Sequence, residues 1–259
     1  MNPADIIRIK ELLPTSLGSA EYREQVARDI LRRSIVSARM ESARHLARVR
    51  DVCAQVAAGE INQADATLAL TRSLEEIGFS PQDGESLANP ASRARIELVV
   101  KTQRQMASSV ARIQAQTEDS LDDFPAWELL RFAGRRAPRE DWDRRWRAAG
   151  DAVGWEGACR HTGDFPEWGF VALKGSPIWA ALGRGAGGFG DALGNPYPPF
   201  AYGSGLDWED VDRARAEELG LIGPGEAARA PEAQTLAPSG DELAEASQRL
   251  GIGLSGGVQ

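Results

Sequence analysis

Cysteine and histidine are nearly absent from this chain of 259 residues, which has two of each. Two cysteines do not make a disulfide framework, so we expect folding in a reducing, cytoplasmic environment. A closed zinc site needs four ligands, and the one local pair, Cys159 and His161, has no second pair to complete it. His45 and Cys53 lie eight residues apart among side chains that are not ligands. The sequence therefore predicts no bound metal.

Motifs for catalysis and cofactor binding are also missing. The chain has no Walker A sequence and no G-x-S-x-G, and no pair of carboxylates stands out as a general acid and base. The loop GRGAGGFG has G-x-G-x-x-G spacing from Gly183 to Gly188. A dinucleotide site needs a strand before that loop, however, and here a helix is expected. We therefore expect no enzyme, no cofactor and no small-molecule substrate.

Long apolar runs and an excess of positive charge are absent as well. No stretch approaches the ~18 apolar residues of a membrane-spanning helix. The N-terminal sequence MNPADIIRIKELLP lacks the pattern of a signal peptide. A net charge of −8 and a pI near 5.0 disfavour a dedicated nucleic-acid binder, because neutralising phosphates requires clustered cations. No membrane partner is expected.

Aromatic residues, by contrast, are concentrated in one part of the chain. All seven tryptophans lie between Trp127 and Trp208, whereas the first 123 residues contain only Tyr22 and Phe79. The sequence predicts a mainly α protein with a long-helix N-terminal half over residues 1–122. A small, aromatic-rich α+β module follows over residues 123–222. Residues 223–259 are rich in Ala, Glu, Gly and Pro, which predicts a flexible acidic tail.

The N-terminal half has the spacing of amphipathic helices. Apolar residues recur every three or four positions from Ile35 to Val56, which predicts one helix over residues 20–58 that Ser19 caps and Gly59 ends. A second stripe runs from Ala66 to Ile77. The clearest periodicity runs from Ile96 to Ile113 and predicts a helix over residues 90–116.

The first of these helices contains an arginine-rich stretch. From Arg28 to Arg50 there are seven arginines against Asp29 and Glu41. In one interpretation this is a solvated face whose long side chains cover apolar surface. In the other, residues such as Arg32 and Arg39 form a weak contact with DNA or with an acidic partner.

The aromatic module has short elements. The residues from Trp127 to Phe132 fit either a helix or a strand, and Phe170 to Leu173 fit a strand. Trp142 and Trp146 lie one helical turn apart with arginines between them. They form either a buried core with arginines over the rings or a stacking surface for nucleic acid. A short helix that begins at Ser176-Pro177 should carry a buried Trp179.

The segment GNPYPPFAYGSGLDWEDVDRARAEELGL combines prolines and aromatics. Its prolines should hold an extended backbone, followed by a helix over residues 207–219 that Asp207 or Asp210 caps. The aromatic residues either form an internal brace or dock onto a partner. The candidate interaction residues of the chain are Arg32, Arg39, Tyr197, Phe200, Tyr202 and Trp208.

This segment, together with FPAWELLRF, PREDWDRRW and VALKGSPIWAALG, resembles the minor head (head morphogenesis) proteins of tailed bacteriophages and prophages, of the broad Mu F-like type. ELLPTSLGSAEYREQVARDILRRSIVSAR and GEINQADATLAL resemble the helical leader of the same group. The resemblance covers roughly residues 11–222. Many Mu F-like proteins carry a Cys-Arg-Cys near the end of the domain, which this chain lacks.

The resemblance implies a structural virion protein in the head, made in the host cytoplasm, with the portal protein, the major capsid protein or both as partners. Such a protein acts in head assembly near the portal vertex or in DNA packaging and delivery. The resemblance brings no catalytic residues. The alternatives are an assembly-only factor of scaffold or chaperone type and a DNA-contacting protein that uses the arginine-rich helix.

Overall fold

The computed structural model of the chain describes residues 1–79, 87, 89–132, 141–160 and 169–251. The predicted mainly α fold with a small sheet is confirmed. The chain divides into two compact units, the first formed by Met1–Ala111 with Thr235–Gln259 and the second by Arg112–Gln234.

The first unit is built from helices and a two-stranded parallel sheet. Strands β1 and β2 pair with Leu12 opposite Ile35, and α4 packs against α1 and α5. The elements that begin in this part of the chain are α1 (Pro3–Arg8), β1 (Glu11–Leu13), α2 (Ser19–Gln25), α3 (Arg28–Arg32), β2 (Ser34–Val36), α4 (Ala43–Ala58), α5 (Gln63–Glu76) and α6 (Arg93–Gln114).

The single helix predicted over residues 20–58 is wrong, because the structure divides this stretch into α2, α3, β2 and α4. Ile35 and Val36 lie in β2, where β-branched side chains are favoured. Arg39 then takes a left-handed conformation with φ of 58°, and Ser42 caps α4 by accepting a hydrogen bond from the His45 amide at 3.1 Å. Ile35 is buried in β2 rather than on a helix face. Its spacing of three and four to the apolar residues of α4 is therefore not evidence of one continuous helix.

The helix predicted over residues 90–116 is confirmed as α6. The apolar stripe from Ile96 to Ile113 explains its length. Val100, Met106 and Val110 are buried on this face, so 22 residues remain helical without an internal break.

The second unit has a three-stranded antiparallel sheet of order β4-β3-β5. The central strand β3 places Leu129 opposite both Phe170 and Trp208. The strand predicted at Phe170–Leu173 is confirmed. The unit contains α7 (Glu118–Asp123), β3 (Ala126–Arg131), α8 (Trp142–Ala152), β4 (Phe170–Leu173), α9 (Ile178–Arg184), β5 (Leu206–Val211) and α10 (Arg213–Glu218).

The helix predicted over residues 207–219 is also wrong. Leu206–Val211 is the strand β5, and the helix α10 begins only at Arg213, after the cap residue Asp212 accepts a hydrogen bond from the Arg215 amide at 2.8 Å. Leu206 and Trp208 are buried while the residues between and after them are more exposed. This period of two is that of a half-buried strand.

The C-terminal stretch contains a last helix, α11 (Gly240–Arg249). Ser239 and Glu242 form a capping box at its start. Residues 223–259 were predicted to be a flexible acidic tail, and α11 lies within them. It packs against the rest of the first unit through Ala246 and Leu250, which are both buried.

Candidate functional site

The second unit contains a cluster of tryptophans. Trp127 stacks on Trp208 with ring centroids 3.8 Å apart and planes at 12°. Trp179 meets both rings edge-on, at 6.3 Å and 5.3 Å. Trp146 meets Trp179 edge-on at 5.5 Å, and these contacts join α8, α9 and the sheet in one aromatic core.

Most indole N–H groups in this core have acceptors. Trp127 donates to Asp210 Oδ1 at 3.0 Å, Trp146 to the carbonyl of Cys159 at 3.1 Å and Trp179 to the carbonyl of Leu173 at 3.0 Å. Those of Trp142 and Trp208 are buried without a hydrogen-bond partner among the described residues. The predicted burial of Trp142, Trp146 and Trp179 is confirmed, with 4%, 1% and 3% of each residue exposed.

A buried cation lies against this cluster. Lys174 is 3% exposed, and its Nζ contacts Asp210 Oδ1 at 2.8 Å and donates to Gln116 Oε1 at 2.8 Å. The same nitrogen lies 5.4 Å from the ring centroid of Trp127. Burial lowers the pKa of Lys174, and Asp210 acts against that shift by favouring the charged form. Asp210 therefore fixes both the lysine and the indole of Trp127.

A cleft of about 240 Å³ lies beside the cluster. Its lining includes the rings of Trp127, Trp179 and Trp208, the side chain of Lys174, and the extended segment around Pro231. Ligand pockets of drug size usually measure ~300–1,000 Å³. This cleft is smaller, and its cation is already paired, so its geometry does not indicate a substrate or cofactor site.

The proline-rich loop completes the aromatic core. Phe200 is 2% exposed, stacks parallel to Trp179 at 6.1 Å and meets Trp208 edge-on at 6.2 Å. Tyr197 is 3% exposed. The loop closes where the Leu193 amide donates to the Phe200 carbonyl at 2.9 Å.

The expectation of a straight, extended backbone in this loop is wrong. Residues 196–198 form a bend, and the peptide bond between Pro198 and Pro199 is cis. Asn195, which is fully buried, donates from Nδ2 to the Pro199 carbonyl at 2.9 Å and holds the bend together. The prolines thus turn the chain so that Tyr197 and Phe200 both face inward.

The other candidate interaction residues lie in different environments. Trp208 is in the core at 1% exposure, and Tyr202 is half-buried in the turn before β5. Arg32 is half-buried in α3, and Arg39 is exposed in the turn after β2. The structure therefore brings Tyr197, Phe200 and Trp208 into one interior, while the two arginines belong to the other unit.

The arginine-rich stretch does not form one basic helix face, because β2 and a turn interrupt it. Several of its arginines are engaged within the first unit, among them Arg44, which pairs with Glu76 at 3.6 Å. Arg33 pairs with Asp29 and Glu242, and Arg50 donates to the Lys10 carbonyl at 3.1 Å.

Arg145 shows how the arginines near Trp142 are used. It is 7% exposed, forms ion pairs with Asp141 and Asp191 at 2.9 Å each, and lies 4.3 Å from the ring centroid of Phe189. Its guanidinium also lies 5.1 Å from the ring centroid of Trp142. This arrangement matches the core interpretation, with an arginine over ring faces. Arg135, Arg136 and Arg139 lie outside the described residues.

Burial shifts the pKa values of the histidine and the two cysteines that the structure describes. Burial lowers the pKa of His45 to about 4, and its Nδ1 lies 2.9 Å from Ser73 Oγ. Burial raises the pKa of Cys53 to about 12 and that of Cys159 to about 11, so neither is a ready thiolate. No group of three or more metal-binding side chains occurs among the described residues, which do not include His161.

Two features of the second unit were not anticipated from the sequence. Glu128 and Glu209 lie directly opposite each other on β3 and β5. Burial, with a contribution from Glu209, raises the pKa of Glu128. The second feature is the buried Lys174. Its only signal in the sequence is its position directly after the apolar run Phe170–Leu173.

None of the described helices has both the length and the apolar composition needed to cross a bilayer. Comparison with known proteins found no matching family model, no matching curated protein and no matching solved structure.

Proposed function

We propose that this chain is a structural minor head protein of a tailed phage or prophage particle. It acts in head assembly near the portal or in DNA packaging and delivery. One observation carries the proposal. The segments in which the sequence resembles such proteins supply the core of the second unit, namely strands β3, β4 and β5, helices α8 and α9, and the loop around Phe200.

These segments are used for packing. Trp127, Trp146, Trp179 and Trp208 come from four different segments and meet in one cluster. A likeness in residues that pack together supports a shared fold and a structural role. It gives no support to a shared reaction, so the proposal assigns the chain no catalytic step.

Under this proposal the portal protein, the major capsid protein or both are the partners, and the virion head is the location. The two-unit construction suits a component that holds other proteins in place. The second unit is built around an aromatic core, and the first unit is largely helical.

The test uses particles from cells in which the gene is deleted and then complemented. Procapsids and mature heads are purified, and the protein is quantified by mass spectrometry against the major capsid protein. We expect the wild-type protein in both kinds of particle and a loss of infectious particles on deletion. Its presence in procapsids alone would indicate the assembly-only factor, and its absence from both would refute a role in the head.

Matched variants test whether the role in the head requires a folded second unit. Phe132→Ala changes an exposed phenylalanine at the end of β3, whereas Phe200→Ala removes a buried one. We expect Phe132→Ala to restore infectious particles and Phe200→Ala to fail because the second unit is destabilised.

A further inference from the structure

The helix α11 packs against the N-terminal part of the first unit through an apolar face. Ala246 and Leu250 are buried there, and Leu243 is partly buried beside them. The docking site is formed by Leu13, Tyr22, Val26, Ile30 and Ala38, with Leu17, Leu31 and Val36 at its edge. A helix of 10 residues is marginal on its own in water, so α11 depends on this docking.

Polar contacts fix the position of α11 on this site. Arg33 is 5% exposed and donates to Glu242 Oε1 at 2.7 Å, to Glu242 Oε2 at 3.1 Å and to the Ala237 carbonyl at 3.0 Å. The bonds from Arg33, followed by the Ser239 amide, lower the pKa of Glu242 to about 2. At the other end of the helix, Arg249 donates to the Gln25 carbonyl at 3.2 Å.

The chain that leads to α11 is attached differently. Within the described residues, the stretch 227–238 makes no hydrogen bond from backbone to backbone. It is held instead at Pro231, which lines the tryptophan cleft, and at the Ala237 carbonyl, which accepts the hydrogen bond from Arg33. A stretch of 12 residues can span about 40 Å when extended. This stretch could therefore follow another path without breaking the hydrogen bonds of a helix or a sheet.

We propose that the docking site for α11 also accepts α11 from a second copy of the chain, so that residues 227–251 form an arm that copies exchange. Every contact of α11 is made by side chains and caps that would be identical in the exchanged form. Only the linker decides which copy supplies the arm. The arm closes on its own chain in dilute solution, and exchange becomes favourable where copies are held at high local concentration. This inference does not depend on the proposed role in the phage head.

A pair of charge reversals in the full chain tests the exchange. Arg33→Glu reverses the charge in the docking site, and Glu242→Arg reverses the charge on the arm. In each variant the docking site therefore repels the arm of the same chain. When the two variants are mixed, Glu242 on the arm of the Arg33→Glu variant meets Arg33 in the docking site of the other. The arginine introduced at position 242 meets the glutamate introduced at position 33. Both exchanged pairs therefore join opposite charges. We expect each variant alone to be monomeric and the mixture to show twice the monomer mass by light scattering.

The double variant Arg33→Glu with Glu242→Arg is the control. Its charges match within one chain, so it should remain monomeric, with the helical circular dichroism of the wild type. A mixture whose mass equals that of the separate variants, both folded, overturns the proposal.

A second measurement applies if Arg33→Glu does not fold. A fluorescent peptide of residues 237–251 is titrated into full-length Glu242→Arg, whose docking site is intact but whose own arm is repelled. We expect saturable binding at least about tenfold tighter than to the wild-type chain, where the arm competes. Absence of binding to Glu242→Arg would overturn the proposal.

Discussion

Trp127 and Trp208 lie diagonally across β3 and β5 and stack with ring centroids 3.8 Å apart. Residues in this diagonal relation are too far apart for most side chains to touch, but large rings reach across. The stacked pair is the centre to which Trp179 and Phe200 add. It ties the edge strand β5 to the central strand through side chains as well as through the backbone.

Removal of a single ring from this core should therefore be costly. Phe200→Ala should lower the free energy of unfolding by about 3–5 kcal/mol, since a buried phenyl group is lost and a cavity remains. Alanine at Trp142, Trp146 or Trp179 should cost a similar amount. The control is Phe132→Ala, which changes a residue that is 62% exposed and should stay within ~0.5 kcal/mol of the wild type. Urea denaturation measures each, and equal midpoints for Phe200→Ala and Phe132→Ala would show that Phe200 does not brace the module.

The ion pair of Lys174 gives a second prediction. Asp210→Asn keeps the shape of the side chain but leaves a buried ammonium without a counter-ion. We expect a loss of about 1.5–3 kcal/mol, the usual range for a hydrogen bond to a charged group. Glu209→Gln, one residue away on the same strand, should be neutral or slightly stabilising because it relieves repulsion with Glu128. The opposite order of stabilities would argue against the network.

Lys10 in the first unit predicts a dependence of stability on pH. It is buried with its Nζ bonded to Gln103 Oε1 at 2.8 Å, and burial lowers its pKa from 10.5 to about 7. Between these values the unfolded chain holds a proton that the folded chain lacks. Stability should therefore rise with pH above 7, by up to about 1.4 kcal/mol per pH unit.

Lys10→Met should remove this slope and raise stability at pH 6, whereas Lys101→Met, at an exposed position on α6, should change neither. Thermal unfolding from pH 6 to 9 is the measurement. Above pH 9 a second effect of opposite sign enters, because burial raises the pKa of Cys53 to about 12. If the dependence of stability on pH persists in Lys10→Met, another titratable group causes it.

The loop that holds Phe200 depends on one close approach. A Cβ on Gly183 would lie 1.7 Å from the carbonyl oxygen of Asn195, whereas one on Gly190 would meet nothing within 4 Å. Gly183→Ala should destabilise the second unit by about 1–3 kcal/mol because backbone must move. Gly190→Ala should be tolerated. Melting temperatures compare the two, and a Gly183→Ala protein as stable as Gly190→Ala would mean that the loop shifts freely.

The parts of the fold that could be predicted from sequence are those determined locally. The helix α6 follows from an unbroken apolar stripe, and β4 from a short run of apolar residues between turns. The break between α3 and α4 could not be predicted. Ile35 keeps the helical spacing, and only its pairing with β1, more than 20 residues earlier, makes it a strand. The strand β5 was missed because its acidic residues resembled helix caps.

The surroundings of Lys174 were beyond prediction for the same reason. Gln116, Lys174 and Asp210 come from three distant parts of the chain, and no local pattern connects them. Tyr197, Phe200 and Trp208 were identified as special by their residue types. Whether such rings face inward or outward is decided by the tryptophans contributed by other segments.

All seven tryptophans lie within residues 127–208, so intrinsic tryptophan fluorescence comes from the second unit only. Indole emission reports the second unit and is silent about the first, whose many helices dominate the far-ultraviolet dichroism. A single sample followed by both signals therefore separates the melting of the two units without any added dye. If the curves coincide, the units unfold as one cooperative system. If they do not, the units unfold separately, and each curve gives the midpoint of one unit.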